Sequence, residues 1–117
     1  MKFSAKPFID LTVHELHDAL QLRTNTFVVE QACLYAEVDG RDPSCHHVLV
    51  KDNGDTLIGY SRIIPPEEND LPHIGRVVVH IDHRGKGIAR ELMVFSLEVV
   101  KEHFGSRRSA LAAQSHL

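Results

Sequence analysis

The fold is decided by residues 74–104, which read IGRVVVHIDHRGKGIARELMVFSLEVVKEHF. The run 74–81 is apolar and β-branched, and its length suits a buried central strand. From Gly87 the apolar period changes to 3.6, which predicts a helix of about 16 residues with Gly105 as its left-handed cap. The short apolar run 109–113 predicts another strand. Strand, helix and strand in this order make a right-handed βαβ unit with parallel strands.

The chain before this unit predicts antiparallel structure. Residues 2–9 predict a first strand, and Thr12 and Glu15 have the spacing of a capping box. A helix of about residues 12–26 follows, and its predicted inner positions are Leu16, Ala19, Leu20, Arg23 and Phe27. Residues 46–64 predict a β-hairpin around the Asn53-Gly54 turn, and residues 65–70 predict a loop. The predicted fold class is therefore α/β, or α+β in some schemes, with a mixed central sheet.

Composition excludes several classes of protein. The 117 residues suit a single domain, and 43% hydrophobic with 25% charged residues is ordinary for a globular chain. A net charge of -3 argues against a general nucleic-acid binder. No apolar run reaches the length of a membrane span, and the N-terminus has no signal-peptide core. We therefore expect a reduced, cytoplasmic protein that binds neither nucleic acid nor membrane.

The turn between the central strand and the long helix is the strongest candidate for a binding site. We call residues 84–89 (Arg84, Gly85, Lys86, Gly87, Ile88 and Ala89) the glycine turn. The glycines let the backbone approach a ligand, and the free amides of the helix N-terminus favour an anion such as phosphate or pyrophosphate. A tight strand-to-helix turn with a basic rim explains the same residues. The P-loop pattern G-x-x-x-x-G-K-[ST] is absent. The pattern G-x-G-x-x-G is also incomplete, because Arg90 stands where the third glycine would be.

The turn fits the R/Q-x-x-G-x-G/A motif, and here the sequence resembles the GNAT (GCN5-related N-acetyltransferase) superfamily. Further segments resemble its ElaA-like branch: Leu22-Arg23, Phe27–Gln31, Cys33, Tyr35, Glu37, Asp39-Gly40, Asp42, Gly75–Val79 and Ala113-Gln114. The resemblance implies an acetyl-CoA-dependent N-acetyltransferase whose acceptor, a small-molecule or peptide amine, attacks the thioester directly. It implies that the glycine turn binds the pyrophosphate and that Val77, Val78 and Val79 pair with the pantetheine arm. It also places Gln114 in the coenzyme groove.

Two departures from the family pattern raise an alternative. Ile81 stands where many members have proline, and the sequence ends at Leu117, where such proteins continue with a tyrosine-bearing helix and two strands. We therefore expect residues 1–117 to form one C-terminally incomplete domain. The alternative is a non-catalytic coenzyme-A-binding or interaction module. Whichever function holds, the unpaired edge of the 109–113 strand predicts a homodimer, or strands from residues outside this sequence that cover it.

Glu30, His73 and His80 are the candidate catalytic residues, with Glu30 a candidate base. Glu30, Glu37, Asp39 and Asp42 form an acidic stretch that indicates either a pocket for a cationic amine or a solvated loop. Arg76, between apolar neighbours, is expected either to pair with a carboxylate such as Glu30 or to emerge at the sheet face.

A metal site is not expected. Cys33, Cys45, His46 and His47 lack the paired-cysteine spacing of structural zinc sites. His46 and His47 are adjacent in a strand, so their side chains point to opposite faces.

Overall fold

The computed structural model describes residues 1–32, 34, 36–67, 71–105 and 110–112. In chain order these residues form β1 (Lys2–Pro7), α1 (Val13–Thr24), β2 (His46–Lys51), β3 (Leu57–Ile64), β4 (His73–Val79), α2 (Ile88–Phe104) and β5 (Ala110–Ala112). The described strands make one sheet in the order β1-β2-β3-β4-β5. Neighbours are antiparallel except β4 and β5, which are parallel. The predicted mixed sheet and its parallel βαβ unit are confirmed.

The predicted capping box begins α1. The Thr12 hydroxyl oxygen accepts the Glu15 N–H at 3.0 Å, and the Glu15 carboxylate accepts the Thr12 N–H at 3.0 Å. The helical chain runs past its predicted end near residue 26, because α1 passes directly into a π-helical turn, Asn25–Glu30. There Gln31 N–H bonds to Thr26 C=O at 3.2 Å. No proline or glycine stops the helix before residue 30.

Two apolar layers cover the sheet, one beneath each long helix. The α1 layer contains Ala19, Leu22, Phe27, Leu49, Leu57, Tyr60 and Val78. The predicted inner face of α1 was partly wrong, because Leu22 is buried whereas Leu16 and Leu20 are only half-buried. The α2 layer contains Val48, Val50, Ile58, Ile63, Ile74, Val77, Val79, Ile88, Leu92, Val99 and Val100. The two helices therefore bury opposite faces of β2, β3 and β4.

A β-bulge interrupts β4 next to the site described below. Tyr60 lies opposite Val78, but Arg62 lies opposite Gly75, so β4 contains one extra residue between these pairs. Arg76 lies in this interval and has φ +51°. A left-handed conformation costs a residue with a Cβ roughly 1–2 kcal/mol, so other contacts must stabilise it.

Beyond Val79 the chain turns sharply into α2. The predicted strand 74–81 is slightly too long, because Ile81 belongs to a 3-10 turn, Ile81–His83. The His80 ring caps this turn by accepting the Asp82 N–H at 3.1 Å. Gly105 ends α2 with φ +62°, as predicted. None of the described helices is long and apolar enough to cross a membrane.

Candidate coenzyme-binding site

The glycine turn presents free backbone amides at the start of α2. Gly85 and Gly87 both have φ +79°, which explains the choice of glycine. The first α-helical hydrogen bond runs from Glu91 N–H to Gly87 C=O at 3.2 Å. The amides of Ile88, Ala89 and Arg90 precede it and have no helical acceptor. Together with the helix dipole they form a site for an anion.

An open cleft of about 470 Å³ adjoins this turn. It runs from Val79 past Arg84 and both glycines to Met93 in α2. A Cβ built on Gly85 or Gly87 meets no other atom within 4 Å, so the space beside the turn is open. A ligand can therefore approach the backbone closely.

Most of the predicted coenzyme residues lie at this cleft. The lining includes Val79, Arg84, Gly85, Gly87, Ile88 and Ala89. Lys86 lies in an adjoining groove with Asn53 and Ile58, and Val77 and Val78 are buried in β4. The predicted role of Gln114 lies outside the described residues.

Arg84 joins the glycine turn to the π-helical turn that follows α1. Its Nε donates to Val79 C=O at 2.9 Å, and its two Nη atoms bind the Glu30 carboxylate at 2.7 and 3.0 Å. The arginine charge is thus paired with Glu30 across 54 residues of sequence. The backbone amides of the turn, rather than the paired Arg84 side chain, are therefore the candidate donors to an anion.

Backbone alternation decides which amides of β4 face the cleft. His80 N–H bonds to Ile58 C=O in β3 at 2.8 Å. Because backbone groups alternate in direction along an antiparallel strand, those of Val78 also face β3, and those of Val77 and Val79 face away from it. On that far side the described part of β5 pairs only with His73–Gly75. We call the Val77–Val79 edge, which has no described strand beside it, the open edge of β4.

The three candidate catalytic residues do not all meet: Glu30 and His80 line one cleft with Arg84, and His73 is not among its lining residues. Both carboxylate oxygens of Glu30 bind Arg84. The His80 ring uses Nδ1 to accept the Asp82 N–H, so this lone pair is engaged. His73 begins β4 and His80 follows its end. At about 3.3 Å per residue the two histidines are roughly 23 Å apart, so one reacting centre cannot use both.

Glu37 and Asp42 of the acidic stretch are neither in a free pocket nor in a solvated loop, as the two sequence interpretations had it, whereas Glu30 and Asp39 are exposed. Glu37 and Asp42 are buried at 5% and 4% exposure, and each binds the fully buried Arg23, at 2.6 and 3.0 Å. Arg62 binds Asp39 at 2.9 Å and Asp42 at 3.1 Å. The carboxylates face arginines because α1 and β3 each place a buried arginine beneath this loop.

Arg76 completes this ionic cluster, which is buried at Arg23, Arg62, Glu37 and Asp42 and reaches the surface at Arg76 and Asp39. Arg76 Nε donates to Glu37 at 2.9 Å. The expectation that Arg76 pairs with a carboxylate is confirmed, although the partner is Glu37 and not the Glu30 given as an example. His47 and Tyr60 pack beside the cluster, joined by a 2.6 Å hydrogen bond between Nδ1 and the phenol oxygen. Burial raises the pKa of Tyr60 and lowers that of His47.

The pKa shifts of Glu15, Asp39 and His47 predict that the protein loses stability in acid. Burial by itself would raise the pKa values of Glu15 and Asp39. Hydrogen bonds from Lys6, Lys51 and the Thr12 N–H to Glu15, and from Arg62 to Asp39, outweigh burial and hold both pKa values at about 2. A depressed folded pKa means that the unfolded chain binds more protons. The stability these groups provide is therefore complete above their ordinary values of 4.5 and 3.8 and is lost as pH falls towards 2. Neutral His47 adds a loss that begins below pH 6.5.

Urea unfolding at a series of pH values measures this effect. We expect the free energy of unfolding to be level from pH 7 to 8, to fall below pH 6.5 and to fall more steeply below pH 4.5. An Asp39→Asn variant should show a shallower fall between pH 4 and 2. A free energy of unfolding that stays constant from pH 7 to 3 would contradict this assignment.

Three of the four residues considered for a metal site, Cys45, His46 and His47, are engaged in other contacts. Cys45 Sγ donates to Arg41 C=O at 3.0 Å, and His47 Nε2 lies 2.9 Å from Asp42 C=O. His46 stacks on His103 with 4.9 Å between ring centroids. Among the described residues, which exclude Cys33, no group of three His, Cys, Asp or Glu side chains is placed to hold an ion.

Comparison with known proteins defines the class. Residues 13–116 match the model of the acetyltransferase (GNAT) family. This chain belongs to that family, and the resemblance inferred from its motifs is confirmed.

Three known proteins are similar to this chain over most of its length. A UPF0039 protein of Schizosaccharomyces pombe is 43% identical over 117 residues, 99% of this chain and 77% of the relative. Protein ElaA of Escherichia coli is 39% identical over 92% of this chain and 72% of its own length, and its crystal structure superposes with a TM-score of 0.89. An acyl-CoA N-acyltransferase structure from Pseudomonas aeruginosa also has a TM-score of 0.89, at 38% identity, and the match covers all of this chain and 80% of that one.

Proposed function

We propose that this chain is an N-acetyltransferase that transfers an acetyl group from acetyl-CoA to a primary amine by direct attack on the thioester. The observation that supports this proposal most directly is that the glycine turn and the open edge of β4 meet at one cleft. The glycine turn offers unpaired amides at the start of α2, and the open edge of β4 ends at the same cleft. Membership of the acetyltransferase family supports the reaction class.

The residues present fit the coenzyme. The amides of residues 88–90 suit a pyrophosphate, and the exposed Lys86 and Arg90 add positive charge beside the turn. The open edge of β4 suits the pantetheine arm, whose amide groups can pair with strand backbone. Bound there, acetyl-CoA supplies the activated thioester, and the protein supplies binding and orientation.

The amide of Val77 is the proposed donor to the thioester carbonyl oxygen, and that of Val79, about 7 Å further along the strand, is free to pair with the pantetheine arm. Such a donor is worth about 3 kcal/mol where negative charge develops on that oxygen. Val78 N–H faces β3 by alternation and does not serve this role. The acceptor must be neutral to attack, and ordinary pKa values are about 8 for an α-amine and about 10.4 for lysine.

Glu30 is assigned to positioning and not to proton transfer, because both of its oxygens bind Arg84. In Glu30→Gln we expect the acetyl-CoA dissociation constant to rise by up to about fivefold, the range of an exposed ion pair. We expect kcat and its pH profile to stay unchanged. A general base would behave differently, since its loss typically lowers kcat by about 10²–10⁴-fold. Steady-state kinetics over pH 6 to 9 separates the two roles, and a collapse of kcat with loss of the acid limb would return Glu30 to the role of base.

Mass spectrometry of a mixed amine panel tests the activity. Parent protein is incubated with acetyl-CoA and small amines, lysine derivatives and peptides with free N-termini, beside a Gly87→Val control. We expect at least one acceptor to gain 42 Da with the parent only. Coenzyme binding with no acetylated product at long times would favour the non-catalytic coenzyme-binding module. Neither binding nor product would refute the proposal.

A further inference from the structure

Arg76 combines a strained backbone with a side chain that forms ion pairs with Glu37 and Asp39. Its φ of +51° lies in the left-handed region, although the residue belongs to a β-strand. A residue that carries a Cβ adopts this conformation only when its surroundings stabilise it. The sequence offers no glycine or asparagine at this position that would reduce the strain.

The contacts that stabilise the left-handed conformation of Arg76 come from Glu37 and Asp39 of the acidic stretch. Arg76 Nε donates to Glu37 Oε2 at 2.9 Å, and the same oxygen accepts Arg23 Nε at 2.6 Å. Arg76 Nη2 lies 3.4 Å from Asp39 Oδ2. Arg23 is fully buried and also donates to Glu37 C=O at 3.0 Å, which fixes Glu37 in place. Arg76 is thus linked through the buried Glu37 to the fully buried Arg23.

The position of Arg76 gives this contact a consequence at the site. The β4–β5 pairing that the structure describes ends at Gly75, one residue before Arg76, and the open edge begins one residue after it. A bulge shifts the alternation of backbone groups by one residue. If the extra residue were absorbed into the ladder, the amides beyond the bulge would exchange sides, and those of Val77 and Val79 would both turn from the open edge towards β3.

We propose that Arg76 and Glu37 are positioning residues for acyl transfer. Their ion pair holds the β4 bulge and thereby aims the Val77 amide at the reacting carbonyl. The inference rests on the function proposed above and deepens it, because it gives the acidic loop a role in transfer that does not involve contact with the amine. The acidic stretch and the open edge of β4 are then coupled through the Arg76–Glu37 ion pair.

Two substitutions at residue 76 distinguish the effect of backbone strain from the effect of losing the ion pair. Arg76→Met removes the ion pair but keeps the Cβ, whereas Arg76→Gly removes the ion pair together with the cause of the strain. We expect kcat to fall about tenfold or more in Arg76→Met, the scale expected for a misplaced carbonyl donor. Arg76→Gly should retain kcat within about threefold of the parent, because glycine adopts φ +51° readily. The dissociation constant of coenzyme A should change less than twofold in both, since the glycine turn is untouched.

Glu37→Gln should resemble Arg76→Met, and Arg41→Met, which removes an exposed arginine of the same loop, should match the parent. The proposal is overturned if Arg76→Met keeps parental kcat, or if the methionine and glycine variants lose kcat equally. Amide NMR shifts of Val77 and Val79 give a readout that needs no turnover. They should move in Arg76→Met and return towards parental values in Arg76→Gly, and unchanged shifts in Arg76→Met would overturn the proposal. If the parent acetylates no amine, only the proposed function fails, and these shifts still decide whether the ion pair holds the bulge.

Discussion

Replacing Gly87 by valine should weaken acetyl-CoA binding by more than about tenfold. Gly87 has φ +79°, a conformation that costs a residue with a Cβ roughly 1–2 kcal/mol, and each 1.4 kcal/mol is a factor of ten. The added side chain would also project into the cleft, where a Cβ meets no protein atom but would meet a bound pyrophosphate. Titration calorimetry with acetyl-CoA measures the change in dissociation constant.

Lys86→Ala is the matched control for this prediction. It removes one exposed and partly screened charge from the same turn, and Lys86 lies in the adjoining groove and not in the cleft. We expect its dissociation constant to rise less than that of Gly87→Val, by no more than about fivefold. Parental affinity in Gly87→Val, with circular dichroism unchanged, would contradict the placement of the coenzyme at this turn.

Arg23→Met should be the most destabilising of the substitutions considered. The Arg23 side chain is 0% exposed and binds Glu37 and Asp42, and it lies 3.4 Å from the Tyr60 hydroxyl. Removing one partner from a buried ion pair leaves charge uncompensated and typically costs about 3–5 kcal/mol. Urea unfolding at pH 7.5 measures the loss, and we expect the variant to be largely unfolded at temperatures where the parent is folded.

Arg41→Met serves as the control, since Arg41 is exposed on the same loop. We expect its free energy of unfolding to lie within about 0.5 kcal/mol of the parent. The double variant Arg23→Met with Glu37→Gln should lose less than the sum of the two single losses, because the residues share one contact. A loss below about 1 kcal/mol in Arg23→Met would show that the cluster contributes little to stability.

Local signals predicted much of the fold and the glycine turn. The capping box at Thr12, the Asn53-Gly54 hairpin and the Gly105 cap depend on residues close in sequence. The glycine turn is equally local, because a strand, two glycines and an amphipathic helix follow one another without interruption. Its binding geometry comes from backbone conformation, which glycine spacing indicates directly.

The ionic contacts could not be predicted in the same way. Glu30 and Arg84 are 54 residues apart, and Glu37 and Arg76 are 39 apart. Nothing in the sequence distinguishes a carboxylate that binds a buried arginine from one that faces water. The one available signal was Arg76 itself, a charge among valines that required a partner. The bulge has no sequence marker, since Arg76 occupies a conformation usually taken by glycine.

The most direct test of the central claim is an amide NMR titration of the parent protein with coenzyme A. We expect the largest shift changes at Val77, Val79 and residues 85–90, with saturation at a single affinity. Residues at the opposite end of α2, such as His103 and Phe104 beside His46, should shift little. Saturable changes centred away from the glycine turn, or no changes at millimolar coenzyme A, would contradict the proposal that this turn and the open edge of β4 form a coenzyme site.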